Sequence, residues 1–102
     1  MRDYEIPRDI MEAIENERDF QNRKWGKPDD HPHDVGAWLT ILRAELREAE
    51  EAWCHGHGDW DAMNEILQVV AVGVACMEQH GSVTRAELAV RKDWAKDGWS
   101  ST

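Results

Sequence analysis

Cations are scarce in this chain of 102 residues: 12 Lys and Arg stand against 21 Asp and Glu, a net charge of −9. Duplex nucleic acid is held by clustered Lys and Arg, so the charge balance argues against that partner. Phosphate binding as such remains open, because a metal cation placed between acidic residues and a phosphate reverses the local sign. Cysteine is nearly absent as well. Cys54 and Cys76 are too few for a disulfide framework, and Cys76 lies in an apolar run. Both are expected as reduced thiols in a cytoplasmic protein. Long hydrophobic runs are missing: Val69 to Met77 is the longest, far short of a bilayer span, so no membrane partner is expected. The opening MRDYEIPRDI is charged and has no apolar core, so no secretory leader is expected. Phe and Tyr occur once each, against six Trp. Indole rings serve as core, and they also offer flat faces on which a base can stack.

No internal repeat and no low-complexity tract is present, and a chain of this length is expected to form one domain spanning residues 1–102. Breaking residues fall in three places: GKPDDHPHD (26–34), CHGHGD (54–59) and HGS (80–82). Four helical segments lie between them. The first runs from about Pro7 to Lys24, with sparse apolar positions at Ile10, Ile14 and Phe20. The second runs from about Val35 to Trp53 with Asp34 as N-cap, and its apolar stripe is Val35, Leu39, Leu42, Leu46, Ala49 and Trp53. The third, about Asp61 to Gln79, contains the β-branched run VVAVGVA, yet its length and helical spacing favour helix over strand. A helix apolar on nearly all sides must be covered on several, which places it at the centre of a bundle and at a subunit contact. The fourth starts at Thr84, where Thr84 and Glu87 form a capping-box pattern, and ends near Gly98. The expected fold is therefore all-α, a four-helix-type bundle completed by association with further copies as a homodimer or homotetramer.

Acidic residues stand close to the apolar stripes. At about 100° per residue, Glu45 falls roughly 60° from the stripe of the second segment, with Trp38, Ile41, Glu48 and Ala52 on the same flank. In the third segment Asp61, Glu65 and Gln68 cluster on one side. Antiparallel packing of the two helices brings these sides together. Carboxylates held so close repel, and partial burial raises their pKa values, unless a cation neutralises them. Hard oxygen ligands select Mg²⁺, with Mn²⁺ also suitable. ELREAEE also reads as a solvated face in which Arg43 and Arg47 pair with neighbouring glutamates; Glu50 and Glu51 belong to that face. Glu65 resists that description, since it leads directly into an apolar run and its charge needs a partner.

AELREAEEAW followed by NEILQVVAVGVACMEQHG resembles the MazG-like, all-α nucleoside triphosphate pyrophosphohydrolases. That family is marked by Glu-x-x-Glu on one helix and Glu-x-x-Asp on the next. The stretch ERDFQNRKWGKPDDHPHDVGAWLTIL resembles the opening of short phage- or bacterium-encoded members, and the resemblance covers roughly residues 10 to 80. It implies Mg²⁺-dependent cleavage of an NTP or dNTP to the monophosphate and pyrophosphate. On this reading Glu45, Glu48 and Glu65 are metal ligands, and one of Glu45 and Glu48 also orients the attacking water. Gln68 stands where the family has aspartate, which removes one negative charge from the ligand set. Asp61, one turn before Glu65, is placed to compensate. By the same resemblance the end of the first helix and its loop help form the nucleotide pocket: Trp25 stacks on a base and Lys24 meets a phosphate. Trp38, on the Glu45 flank, is a candidate to line the same space, with a place in the core the favoured alternative. A bundle-end Trp beside a solvated Lys explains Trp25 and Lys24 equally well. The histidines of HPHD and HGHGD lack the spacing of structural zinc sites. Arg91, Lys92 and Lys96 are candidates either to reach phosphates or simply to favour a helix C-terminus. Two further readings stay beside the enzyme: a nucleotide-sequestering helical module that has lost turnover, and a structural helical interaction protein.

Overall fold

The structure, a computed structural model, describes residues 2–90. Among them are four helices and no strand: α1 (Arg8–Trp25), α2 (Val35–His55), α3 (Asp59–His80) and α4 (Arg85–Val90). The chain is an all-α helical bundle in which α2 and α3 form an antiparallel hairpin and α1 packs on α3. The positions Arg91, Lys92, Lys96 and Gly98 lie outside the described residues. No described helix is long and apolar enough to cross a membrane.

Local chemistry sets the helix ends. Asp34 caps α2 by accepting the Ala37 N–H at 2.7 Å, which satisfies a donor the first turn leaves without a partner. Thr84 does the same for α4, accepting the Glu87 N–H at 3.0 Å. Asp59 and Asp61 lie in the first turn of α3, and Arg23 and Lys24 in the last turn of α1, each on the side the helix dipole favours. The end of α1 depends on Gly26, whose φ of 87° is strained for a residue with a Cβ. A Cβ there would also meet the His31 ring at 2.9 Å. Between α2 and α3 the break is shorter than CHGHGD suggests: α2 continues through Cys54 to His55 and α3 begins at Asp59.

The core is small. Trp38, Val72 and Ala75 form its centre, with Ile41, Leu42 and Cys76 packed around them. Ala49, Ala62 and Ala71 are also buried, and these small side chains let α2 and α3 approach closely. Burying the Trp38 indole contributes roughly 3 kcal/mol. The apolar stripe expected to face the interior from α2 does not do so. Leu42 is half-buried and Ala49 buried, but Val35, Leu39, Leu46 and Trp53 are each about half exposed or more. The flank that carries Trp38, Ile41 and Glu45 packs on α3 instead. On that flank Trp38, whose Nε1 donates to Gln79 Oε1 at 2.9 Å, takes the inner position, its ring buried and its polar edge satisfied.

α1 is held differently. Its buried residues are Arg18 and Gln21, both polar. Arg18 grips Glu78 of α3 with two bonds, Nε to Oε2 at 2.8 Å and Nη2 to Oε1 at 2.7 Å. Such a paired geometry is among the stronger polar contacts a side chain makes. The 26–34 loop is fastened to the other end of the same helix turn: the Gln79 amide bonds the His33 N–H and C=O at 3.1 and 2.6 Å.

Candidate functional site

Helical spacing puts Glu45 and Glu48 one turn apart on α2, and the hairpin carries Glu65 of α3 across to them. Each of the three offers a carboxylate oxygen within 4.8 Å of the other two. Glu45 and Glu65 are half-buried, while Glu48 is exposed. Burial pushes the Glu45 carboxyl above its ordinary value, and the charges of Glu48, Glu65 and Glu17 push it further; Lys24 opposes them. Glu65 Oε2 is a buried atom with no hydrogen-bond partner among the described residues. An oxygen withdrawn from water without a partner is costly. Together these features form a negative centre, only partly offset by Lys24, suited to a hard divalent cation.

The remaining expected ligands are placed otherwise. Asp61 does not join the three glutamates. Its Oδ2 accepts from the His57 N–H at 3.1 Å and pairs with His57 Nδ1 at 3.0 Å, closing the turn before α3. The compensation expected of Asp61 is therefore corrected: the tight Gly56–Gly58 turn brings an N–H and an imidazole to it before any other acid. Gln68 donates through Nε2 to Asn64 Oδ1 at 3.1 Å, which leaves its carbonyl oxygen as the end able to meet a cation. Glu50 and Glu51 are exposed, as the solvated-face reading has them.

Glu45 also borders a cavity of about 340 Å³. Its walls come from Arg18, Gln21, Asn22 and Trp25 of α1, from Trp38 and Ile41 of α2, and from Val72 and Ala75 of α3, with the 26–34 loop completing the lining. This size falls in the usual range for small-molecule sites. Trp25 is 58% exposed and Trp38 7%, so Trp25 stands at the rim and Trp38 at the base. His33 packs edge-on to Trp38 with ring centroids 5.1 Å apart. The Lys24 ammonium lies 4.8 Å from the centre of the Trp25 ring, and Lys24 is not among the cavity-lining residues. On the other side Glu65 borders a shallower depression formed with Ala52, Trp60, Asp61, Met63 and Asn64.

Several of these residues escape a reading of the sequence. Glu17, Arg18, Gln21, Asn22 and Glu78 belong to the site or its support, and none sits in an apolar pattern. The one signal is that α1 has few apolar residues yet carries Arg18, Gln21 and Asn22 at positions i, i+3 and i+4. A helix with so little to bury must be held by polar contacts. Comparison with known proteins gives no match to any family model, curated protein or solved structure.

Proposed function

We propose that this chain is a Mg²⁺-dependent nucleotide pyrophosphohydrolase that converts an NTP or dNTP to the monophosphate and pyrophosphate. The observation that carries the reading is the meeting of Glu45, Glu48 and Glu65, with Glu65 Oε2 buried and unpartnered, and with Glu45 bordering a cavity that Trp25 and Trp38 also line. The residues fit the metal that the MazG-like resemblance implies: three carboxylates from two helices, mutually repelling, with Glu45 pushed toward protonation. Mg²⁺ held by these carboxylates, with the Gln68 carbonyl as a further donor, would neutralise phosphate charge and acidify a water. The cavity receives the base, and the phosphates lie toward Glu45. Glu48, the exposed member of the trio, accepts the proton of the attacking water. The water oxygen bonds to the α-phosphorus as the bond to the α–β bridging oxygen breaks, and pyrophosphate leaves with that electron pair. Placement and electrostatics supply most of what this chemistry asks of a protein.

Completion of the bundle by a second copy belongs to the same reading. Leu39, Leu46 and Trp53 on α2, and Met63, Val70 and Met77 on α3, repeat every seven residues and are 42–59% exposed. A seven-residue apolar repeat is the spacing that keeps one helix face against another helix along its length. Gln68 favours an alternative, a module that binds a nucleotide without turning it over, because the amide weakens the charge of the ligand set.

A panel of NTPs and dNTPs with Mg²⁺, assayed for pyrophosphate and monophosphate, tests the reading beside Glu45→Gln and Glu65→Gln. Turnover that depends on Mg²⁺ and drops by about 100-fold or more in either variant is expected, as for loss of a group acting on the reacting phosphate. Nucleotide binding without turnover selects the sequestering module. Absence of both leaves a structural helical protein.

A further inference from the structure

Arg18 is 6% exposed and Gln21 5%, and both line the cavity together with Asn22. A guanidinium has five N–H donors and no acceptor. It therefore dictates which end of a neighbouring amide turns toward it. Arg18 Nη1 donates to Gln21 Oε1 at 3.1 Å, and Nη2 donates to Asn22 Oδ1 at 2.9 Å. Glu78 holds the same guanidinium from α3 with two bonds, so Arg18 cannot turn to release either oxygen. The two ends of an amide are nearly equal in shape, but here the chemistry of the partner distinguishes them. Each NH₂ is left as the free end, and neither Gln21 Nε2 nor Asn22 Nδ2 makes a hydrogen bond to a described residue. Neither is sealed from a ligand, since Glu65 Oε2 is the sole buried side-chain atom lacking a partner among the described residues.

Resting on the nucleotide reading above, we infer that the cavity selects bases presenting two adjacent hydrogen-bond acceptors on one edge, which Gln21 and Asn22 meet with paired N–H donors. Cytosine offers O2 and N3; guanine offers O6 and N7. Adenine sets its N6 donor beside the acceptor on either of the corresponding edges. Uracil and thymine place N3–H between their two carbonyls. Those bases turn a donor toward a donor, and a buried unpaired polar group is what lets a site reject a near-isostere. Trp25 and Trp38 border the same space with flat apolar faces suited to a planar ring.

Calorimetric titration of the full chain with CMP, GMP, AMP and UMP in Mg²⁺ tests this. CMP, GMP or both should bind at least about 10-fold tighter than AMP and UMP, and the stronger of the two names the base. Gln21→Glu and Asn22→Asp each keep the oxygen that Arg18 needs and replace one NH₂ with an acceptor. Each should shrink or reverse the preference while the helical circular dichroism and the melting temperature stay close to wild type. If Gln21→Glu misfolds, Asn22→Asp at the less buried position provides the same comparison. Equal binding of all four, a preference for AMP or UMP, or unchanged discrimination in the folded variants would overturn the inference and leave the nucleotide reading standing. Failure of all four monophosphates to bind would overturn the inference, and absence of both binding and turnover with the NTP and dNTP panel would overturn the nucleotide reading as well.

Discussion

Glu45 carries its charge at a cost in the metal-free protein, because it is partly withdrawn from water and faces Glu48, Glu65 and Glu17. Its folded-state pKa lies above the unfolded value, so the folded chain holds that proton more tightly and ionisation opposes folding. The cost is full above the raised value, is relieved as pH falls through it, and is absent below the ordinary carboxylate range. Glu45→Gln should therefore raise the melting temperature in chelator at pH 8 by roughly 2–4 °C, since solvent screening keeps the effect near ~0.5 kcal/mol. At pH 4 the gain should vanish. Thermal melts at the two pH values read this directly, and equal gains at both would show that Glu45 is not strained by its charge. The meeting of Glu45, Glu48 and Glu65 was legible only in part: helical spacing put the acids near the stripe but left ELREAEE open as a solvated face, and the Glu-x-x-Glu resemblance singled them out. Glu17 was not, since its nearness to Glu45 depends on how α1 lies across the hairpin. Asp61 was misread because hairpin geometry, not helical phase, hands it to His57.

At the scale of elements, α2 and α3 were readable from caps and periodicity, whereas the attachment of α1 was not. Hydrophobic pattern predicts a weakly packed α1, and the structure fastens it through Arg18 to Glu78, Gln21 and Asn22. The Arg18 hydrogen bond holds Glu78 below the ordinary carboxylate value, against the effect of burial, and the Arg18 charge adds to it. A depressed folded-state value means that this stabilisation is present above about pH 4.5 and is lost as pH falls through the folded value. Arg18→Met should cost about 2 kcal/mol, less than a fully buried pair because the Glu78 side chain is 45% exposed. Hydrogen exchange should show α1 amides losing protection while those of α2 and α3 keep it, and wild-type α1 should loosen in the same way in acid. A uniform loss across all three helices would mean that Arg18 is not a local fastening. The α2 stripe shows the opposite limit of pattern reading: periodicity identifies an apolar face but does not say whether the same chain or another covers it.

For the whole molecule, that uncovered face sets the expectation. The described residues contain no large side chain that is fully buried, while Leu39, Leu46, Met63 and Val70 remain 42–59% exposed. Sedimentation equilibrium should give a mass of two or more chains, and Leu46→Glu with Val70→Glu should release monomer and lower the melting temperature. A wild-type monomer at micromolar concentration would remove the second copy from the proposed assembly. The fastening of the 26–34 loop has a separate consequence. His33, next to its C-terminal end, is tied to Gln79 and His80, the last two residues of α3. This loop, which supplies part of the cavity wall, is thus tied to a helix end, where fraying is easiest. Fraying of that terminal turn loosens this wall, so the residence time of a guest should shorten on mild warming, well before the bundle melts.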